Sequence, residues 1–242
     1  MNSPNTPRGE APGKKVRVAA MFDDIAPRYD LLNRLLSFGI DQTWRSRAVE
    51  ALREKAPRRI LDVATGTADL AIKALSLEPE RIDAVDISDE MLALAREKVG
   101  RLGVSDRINL QRGDAEKLPF SDAQFDAAMV AFGVRNFENL QAGLTEIRRV
   151  LRPGGMLVIL EFSQPEDFPV KQLYGFYSHV ILPTVGRIIS KNDEAYRYLP
   201  ESVDVFPPGE AFLERLKSAG FKDVAWQPLT FGVAGIYKGL KS

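Results

Sequence analysis

The stretch Ile60-Leu61-Asp62-Val63-Ala64-Thr65-Gly66-Thr67-Ala68-Asp69 decides the predicted fold of this chain. It begins as a short apolar run, passes through a small turn at Gly66, and continues into a helical pattern over 70–75. A strand, a tight turn and a helix N-terminus in that order open a βαβ unit. A second apolar run, 82–85, ends at Asp86, where nucleotide-binding α/β folds place an acid that contacts ribose hydroxyls.

The turn narrows the choice of ligand. A dinucleotide-binding turn carries three glycines, whereas Gly66 is the only glycine here, which disfavours a nicotinamide dehydrogenase. Asp62 and Asp69 bracket the turn with negative charge, which repels phosphate and suits a cation. A nucleoside with positive charge and no phosphate, S-adenosylmethionine, fits these features. The alternative is an ordinary strand-turn-helix without a ligand.

Composition excludes several classes of protein. The 242 residues, 45% hydrophobic and 27% charged, suit one α/β domain. The balance of 33 basic and 33 acidic residues gives no indication of nucleic-acid binding. The chain has no cysteine and His179 is its one histidine, which excludes disulfides and zinc sites built from these residues, and no metal is predicted. No apolar run approaches the ~20 residues that span a bilayer. The N-terminus lacks the apolar region typical of a signal peptide, so a cytoplasmic location is expected.

The chain divides into segments around the predicted sheet. Residues 1–15 have the composition of a disordered tail, and residues 16–242 form a single domain. Helices predicted over 16–56, the third capped by Asp41, precede the first strand and act either as a lid over its carboxyl end or as a cover for a sheet edge. An aromatic segment, 164–205, forms a helical insert before the last strands.

Strands alternate with helices from residue 60 onward, which is typical of a doubly wound, mostly parallel sheet of seven strands whose last strand is antiparallel. Ser88 is expected to cap the helix after the second strand. A break at 152–155 ends the helix that follows the fourth strand. The later strands are predicted at 108–110, 125–132, 156–160, 223–227 and 232–237.

Three acids follow three of these strands. Asp62, Asp86 and Asp114 are expected at one edge of the sheet, since the carboxyl ends of parallel strands share an edge. Each acid alone is equally a solvated loop residue. Together with the single-glycine turn they predict a cofactor site.

These motifs, with Leu151-Arg152-Pro153-Gly154-Gly155, resemble class I S-adenosylmethionine-dependent methyltransferases, which have a Rossmann-like fold. Two narrower stretches are similar to signatures of the quinone C-methyltransferases of menaquinone and ubiquinone biosynthesis. The resemblance spans about residues 18–240. The stretches that carry it are Tyr29 to Ser37 with Trp44, Arg149 to Gly155 running on to Ser163, Phe132 to Asn136, Tyr196 to Leu199, and Glu201-Ser202.

The chain departs from this family at two positions. Asp41 stands where the family usually has histidine, so no role for a lid histidine is expected there. Ala68 stands where the family usually has a second glycine, a change of one methyl group that the turn accepts if φ is negative.

The resemblance implies a set of cofactor-binding residues. Thr67 and the backbone around Gly66 hold the methionine end, Asp86 binds the ribose, and Asp114 with the Ala115 amide reads the adenine. The physical chemistry agrees, since a carboxylate suits a vicinal diol. The full set is Asp62, Gly66, Thr67, Asp86, Ile87, Asp114, Ala115 and Ala131.

The resemblance also suggests catalytic residues. Arg135 and Asn136 follow a strand end, where they are expected to hold a phenolate oxygen, while Tyr29 and Asp30 from the lid bond the other ring oxygen. His179 is either the general base or a packed helix residue.

Arg135 has a plainer interpretation as well. A surface ion pair with Glu138 or Glu161 would occupy its guanidinium. We favour the functional role, in which Arg135 stabilises charge, because arginine is too basic to act as the base.

The implied acceptor is a prenylated naphthoquinol or benzoquinol in a bacterial pathway, and demethylmenaquinol is preferred. The aromatic run Phe168 to Tyr198 is either a prenyl-tail groove with weak peripheral membrane contact, at the inner face of the membrane, or a core-packing insert. The sequence offers no strongly basic amphipathic helix, so membrane attachment is expected to be weak or through a partner. A homodimer is a further hypothesis. Two further hypotheses are methylation of another phenol or lipid, and a non-catalytic scaffold subunit.

Overall fold

A computed structural model of the chain describes residues 13–165, 167–178 and 193–242. One mixed sheet lies at its centre. Its strands are β1 (Arg59–Val63), β2 (Arg81–Asp86), β3 (Ile108–Arg112), β4 (Phe125–Ala131), β5 (Leu151–Phe162), β6 (Phe221–Leu229) and β7 (Ala234–Lys241).

The strand order is β3-β2-β1-β4-β5-β7-β6. Neighbours from β3 to β5 run parallel, and β7 runs antiparallel to both β5 and β6. The prediction of a seven-stranded, mostly parallel sheet with an antiparallel last strand is therefore confirmed.

Helices precede the sheet and connect its strands. They are α1 (Lys14–Ile25), α2 (Tyr29–Leu36), α3 (Ile40–Glu50), α4 (Asp69–Ala74), α5 (Asp89–Arg101), α6 (Leu140–Val150), α7 (Val170–Phe176), α8 (Asp193–Val205) and α9 (Glu210–Ser218). None of the described helices is both long and apolar enough to span a membrane.

Two hydrophobic cores lie on the two faces of the sheet. Because successive strand residues point to opposite faces, Ile60 and Leu61 of β1 enter different cores. Ile60 shares its core with Trp44 of α3 and residues of α4 and α5, whereas Leu61 packs in the core that contains Leu144 of α6 and Phe212 of α9. Burial on both faces explains why the strands β1 and β4 are apolar along most of their length.

The N-terminal boundary differs from the prediction. The helix α1 begins at Lys14, so Lys14 and Lys15 belong to it and not to a tail. Both lysines have long-range partners, since Nζ of Lys14 donates to the carbonyls of Arg135 and Phe137 and Nζ of Lys15 donates to Asp114. The predicted disorder of the remaining tail falls on residues 1–12, outside the described residues.

The prediction that Asp41 caps α3 is wrong. The helix begins at Ile40, after Gly39 in a left-handed conformation with φ 74°. Asp41 lies in the first turn, where its buried carboxylate accepts from Ser37 Oγ at 2.8 Å and from the Gln42 side chain at 3.0 Å. By contrast, Ser88 caps α5 as predicted.

The last three strands are longer than predicted. The helix α6 ends at Val150, before the predicted break at 152–155, because Leu151 already belongs to β5 and pairs with β4. Residues 152–155 form an irregularity within the strand. The strands β6 and β7 are joined by the short helical turn Thr230–Gly232 instead of residues 228–230. Pro228 continues β6 because this is an edge strand, where a missing N–H is tolerated.

Candidate active site

A cavity lies at the carboxyl ends of the central parallel strands. This strand-end cavity has a free volume of about 700 Å³, including space open to solvent. Its walls carry the carboxylates of Asp86, Asp114, Glu116 and Glu138 and one cation, Lys15. The other predicted site residues along it are Tyr29, Gly66, Ile87, Ala115, Ala131 and Asn136.

Asp86 ends β2 and is fixed by backbone groups on both sides. Its carboxylate accepts from the Gly66 N–H at 2.7 Å and from the Ser88 N–H at 2.9 Å. Burial raises the pKa of Asp86, although these backbone hydrogen bonds act against the increase. A carboxylate has about four acceptor sites, so Asp86 keeps the capacity to accept from a hydroxyl group in the cavity.

The turn after β1 requires unusual backbone conformations. Gly66 has φ +56°, and Ala68 has φ 66°. From the sequence, the turn is expected to accept Ala68 if its φ is negative. The φ of Ala68 is positive instead, so the turn holds alanine in the left-handed region that favours glycine. A Cβ on Gly66 would lie 3.9 Å from the Tyr29 ring, so the lid tyrosine lies close over the turn.

Two of the predicted cofactor-binding residues do not line the strand-end cavity. Asp62 is buried beneath the turn and accepts from Thr65 Oγ1 at 2.6 Å. Burial raises the pKa of Asp62 to about 7. Thr67 Oγ1 donates to Asp30 at 2.6 Å and accepts from Lys98 at 3.0 Å.

Asp114 lies at the opposite wall, after β3. Its carboxylate accepts from Lys15 Nζ at 2.6 Å and from the Glu116 N–H at 2.9 Å. The hydrogen bond to Asp114 raises the pKa of Lys15. These contacts attach the N-terminal helix α1 to the wall of the strand-end cavity where adenine is expected to bind on the basis of the sequence.

A second, larger cavity lies between the N-terminal helices and the insert. This aromatic cavity has a free volume of about 1150 Å³, including space open to solvent. It meets the strand-end cavity at the three residues that line both. Those are Phe22, Tyr29 and Phe132, and the other main walls are Trp44, Arg45, Arg135, Phe162, Tyr174, Tyr177 and Tyr198.

Arg135 lines the aromatic cavity but is heavily engaged. Its Nη1 lies 2.6 Å from Glu161 Oε1 and donates to the Phe132 carbonyl at 2.6 Å, while its Nε donates to Ser202 Oγ at 3.2 Å. Glu161 is fully buried. One of the two ion pairs considered for Arg135 therefore exists, with the difference that it is buried and not on the surface.

The remaining predicted catalytic residues are placed as follows. Tyr29 lies where the two cavities meet, and the side chain of Asn136, at the strand-end cavity, accepts from Tyr198 Oη at 3.0 Å. Asp30 lines neither cavity, because its carboxylate is bonded to Thr67 and Lys98. His179 lies outside the described residues.

The sequence prediction missed several cavity residues. Lys15 was assigned to the tail, and Arg45 was not singled out beside Trp44. The sequence did carry a signal for Arg45. Asp41 and Arg45 are four residues apart, so a helix brings their side chains close together. Among the residues that the structure describes, no group of three or more histidine, aspartate or glutamate side chains is arranged to hold a metal.

Solved structures share the fold. The [4+2]-cyclase SpnF matches with a TM-score of 0.67 at 19% identity, over 96% of this chain and 97% of its own. A Haemonchus contortus phosphoethanolamine N-methyltransferase 2 in complex with S-adenosyl-L-methionine matches with a TM-score of 0.57 at 17% identity, over 76% of this chain and 48% of its own. At these identities the likeness establishes the fold alone.

Sequence relatives are much closer. A demethylmenaquinone methyltransferase of Bacteroides fragilis is 47% identical over 229 residues, which cover 94% of each chain. A protein with the same name from Thermus thermophilus is 50% identical over 220 residues, covering 90% of this chain and 99% of its own. The ubiquinone/menaquinone biosynthesis C-methyltransferase UbiE of Geobacter sulfurreducens is 46% identical, over 94% and 90%.

The family comparison covers almost the whole sequence. The profile of the ubiE/COQ5 methyltransferase family matches residues 11–241. The chain belongs to this family.

Proposed function

We propose that the chain transfers a methyl group from S-adenosylmethionine to a ring carbon of a prenylated quinol, converting demethylmenaquinol to menaquinol. The observation that carries the proposal is the pair of adjoining cavities. One is lined by acids at the strand ends, the other by aromatic rings, and they meet at Phe22, Tyr29 and Phe132. Relatives over nearly the full length are named for this activity.

The strand-end cavity fits the methyl donor. Four carboxylates and one lysine give it an acidic lining, which suits a ligand with a sulfonium and an ammonium group. Asp86 would hold the ribose hydroxyls, and Asp114 with Ala115 would hold the adenine. When bound, S-adenosylmethionine supplies an electrophilic methyl group.

The aromatic cavity fits the acceptor ring and the start of its prenyl tail. Phe132 and Phe162 stack with centroids 4.4 Å apart, and the Trp44 ring lies edge-on to Phe162 at 6.1 Å. Apolar walls of this kind bury a flat ring and exclude water from the place where charge develops. Orienting the ring carbon at the junction of the cavities is the main task of these side chains.

Proton removal from the quinol needs a group other than Tyr174, Tyr177 and Tyr198. Burial raises the pKa of Tyr174 to about 12 and also raises the pKa of Tyr177 and Tyr198. These hydroxyls remain protonated at neutral pH, and Tyr174 would donate a hydrogen bond to a ring oxygen, whereas Tyr198 Oη already donates to Asn136. Of the described residues that line the aromatic cavity, only Asp41 carries a carboxylate, and His179 stays a prediction.

The helices α1 and α2 act as a lid in this proposal. Lys15 bonds Asp114, Ser88 Oγ donates to Asp23 at 2.5 Å, and Thr67 donates to Asp30. These contacts join the lid to three strand ends, where it covers the donor. Opening of the lid would admit the donor and closure would exclude water.

The surface beside the aromatic cavity supports weak membrane contact. Phe38 is 82% exposed, and its ring lies 6.5 Å from that of Tyr177, which joins the lid to the insert. Leu173 and Phe176 of α7 are also exposed. An isoprenoid acceptor in a bilayer would reach the cavity most directly through this patch. A homodimer stays a prediction.

The benzoquinol intermediate of ubiquinone biosynthesis is the second candidate acceptor. The Geobacter sulfurreducens relative carries a name that includes both pathways. Direct competition between the two rings decides which one is the acceptor.

The test is a competition assay. Purified protein, S-adenosylmethionine and a reductant are mixed with a short-chain demethylmenaquinol and a short-chain benzoquinol precursor, and the products are followed by mass. We expect the naphthoquinol to gain one methyl group. Methylation of the benzoquinol alone would overturn the preferred acceptor, and methylation of neither ring would overturn the proposed function.

A matched pair of variants tests the donor site in the same assay. Asp86→Ala removes the carboxylate from the strand-end cavity and is expected to weaken S-adenosylmethionine binding by about tenfold or more. Asp89→Ala, three residues later and exposed, is the control and should bind normally. Unchanged calorimetric affinity in Asp86→Ala would contradict the ribose assignment.

A further inference from the structure

Arg45 is a buried cation with unused hydrogen-bond donors. It lies in α3, lines the aromatic cavity, and is 6% exposed. Its guanidinium makes no hydrogen bond to any residue that the structure describes, and its Nε is fully buried without a partner. A guanidinium carries five N–H donors, and a buried donor left without a partner is unfavourable.

The nearest carboxylate does not use these donors. Asp41 Oδ2 lies 3.6 Å from Arg45 Nε, which is beyond hydrogen-bond distance. Asp41 accepts instead from Ser37 and Gln42. Asp41 therefore balances the charge of Arg45 but leaves its N–H groups available to a ligand.

The other arginine of the cavity provides the contrast. Arg135 donates to Glu161, to the Phe132 carbonyl and to Ser202. Of the two cations that line the aromatic cavity in the described residues, Arg45 is thus the one whose donors are not used by the protein.

The two arginines bracket a stack of rings. The guanidinium carbon of Arg45 lies 5.1 Å from the centroid of Phe132, Phe132 stacks on Phe162, and Arg135 lies 5.4 Å from the centroid of Phe162. Stacking on an aromatic face fixes the plane of a guanidinium and leaves its edge free to donate. Phe132 also lines the strand-end cavity, so Arg45 is positioned at the wall that the two cavities share.

We propose that Arg45 binds a ring oxygen of the acceptor in its anionic, phenolate form. The inference rests on the proposed function and deepens it, since it names the group that recognises the charged state of the ring. Arginine stays charged at neutral pH. By donating to the oxygen after its proton has left, Arg45 holds the electron-rich form of the ring that attacks a methyl group.

The experiment compares an anionic with a neutral ring. The probes are 2-hydroxy-1,4-naphthoquinone, which is ionised at pH 7, and 2-methoxy-1,4-naphthoquinone, which is not, and their affinities are measured by calorimetry. We expect the wild type to prefer the anion by on the order of tenfold. Arg45→Met should abolish this preference, whereas Arg47→Met, an exposed arginine on the same helix, should retain it.

Two further measurements distinguish a lost anion site from a damaged fold. Binding of S-adenosylhomocysteine should be unchanged in Arg45→Met, which shows that the fold and the donor site are intact. If Arg45→Met does not fold, Arg45→Gln replaces it, and loss of the anion preference in either variant supports the proposal. Full retention of the preference in a folded, uncharged variant would overturn it, as would a wild type that does not distinguish the two probes.

Methylation of quinols by the wild-type protein tests the proposed function independently of the Arg45 variants. Methylation of the naphthoquinol by the wild type, with the anion preference kept in Arg45→Met, would overturn this inference alone. Arg45-dependent binding of the anion without methylation of either quinol would overturn the proposed acceptor and leave the anion site in place.

Discussion

At the scale of single residues, Arg135 and Glu161 form an ion pair that is almost fully excluded from water. Glu161 has no exposed surface and the Arg135 side chain is 7% exposed. Removing one partner of a buried pair leaves an uncompensated charge. A simple truncation of Arg135 therefore changes stability together with catalysis, and a low turnover would not by itself identify its role.

A double variant separates the two effects. Arg135→Met is expected to lower the free energy of unfolding by roughly 3–5 kcal/mol, and adding Glu161→Gln should restore most of this loss. Urea unfolding measures both. If Arg135 holds the acceptor, the stable double variant still turns over slowly while binding S-adenosylmethionine normally. Wild-type turnover in the double variant would remove Arg135 from the mechanism.

At the scale of elements, the sequence predicted the strands and the position of the cofactor end of the sheet. Buried parallel strands are continuous apolar runs, so β1, β2 and β4 were visible, and Asp86 follows directly from the end of β2. The position of the Asp62 side chain was harder to predict, because sequence spacing does not tell whether a side chain at a strand end points into a cavity or beneath the turn.

Local sequence places Arg45 one helical turn from Asp41, but it does not predict that Arg45 is buried at the cavity. Trp44, Ala48 and Val49 are buried on the inner face of α3, as apolar residues at helical spacing should be. The burial of Arg45 depends on Phe132, which is distant in sequence and reaches it only through the packing of α3 against the strand ends. Long-range contacts of this kind also explain why Lys15 was assigned to the tail.

The lid element is attached through one lysine of α5. Nζ of Lys98 lies 2.6 Å from both Asp30 and Asp69 and 3.0 Å from Thr67. Although burial of Asp69 acts to raise its pKa, the hydrogen bond and charge of Lys98 lower it overall. Lys98 therefore joins α2, the turn after β1 and α5.

Loss of this lysine should loosen the lid. In Lys98→Met the carboxylates of Asp30 and Asp69 lose their shared cation and repel each other. We expect faster hydrogen exchange in α2 and several-fold faster release of S-adenosylhomocysteine, measured by stopped flow. Arg96→Met, exposed on the same helix, is the matched control. Equal exchange rates in the two variants would show that Lys98 does not hold the lid.

At the scale of the whole molecule, the site makes the stability of the fold depend on pH. Asp62 lies on the inner strand β1 and is 1% exposed. Burial raises its pKa from 3.8 to about 7, despite the hydrogen bond from Thr65 and the charge of Arg45. The folded state therefore holds a proton on Asp62 at pH values where the unfolded chain has released it, so this residue contributes stability below about pH 4 that is lost as the pH rises to about 7.

Asp62→Asn should remove this dependence, because an amide resembles the protonated acid and still accepts from Thr65. Relative to the wild type, the variant should become more stable as the pH rises from about 4.5 to 8. The gain in the free energy of unfolding is at most about 4 kcal/mol, because one pKa unit corresponds to about 1.4 kcal/mol. Urea unfolding across this range measures the difference. Asp126→Asn on β4 is the control, and its stability relative to the wild type should change with pH in the opposite direction. Backbone N–H groups of Arg58 and Arg59 and the side chain of Arg152 outweigh burial and lower the pKa of Asp126. The stability that Asp126 adds is lost as the pH falls. A pH-independent difference for Asp62→Asn would mean that Asp62 is ionised in the folded protein, and the buried site beneath the turn would then hold a charge and not a proton.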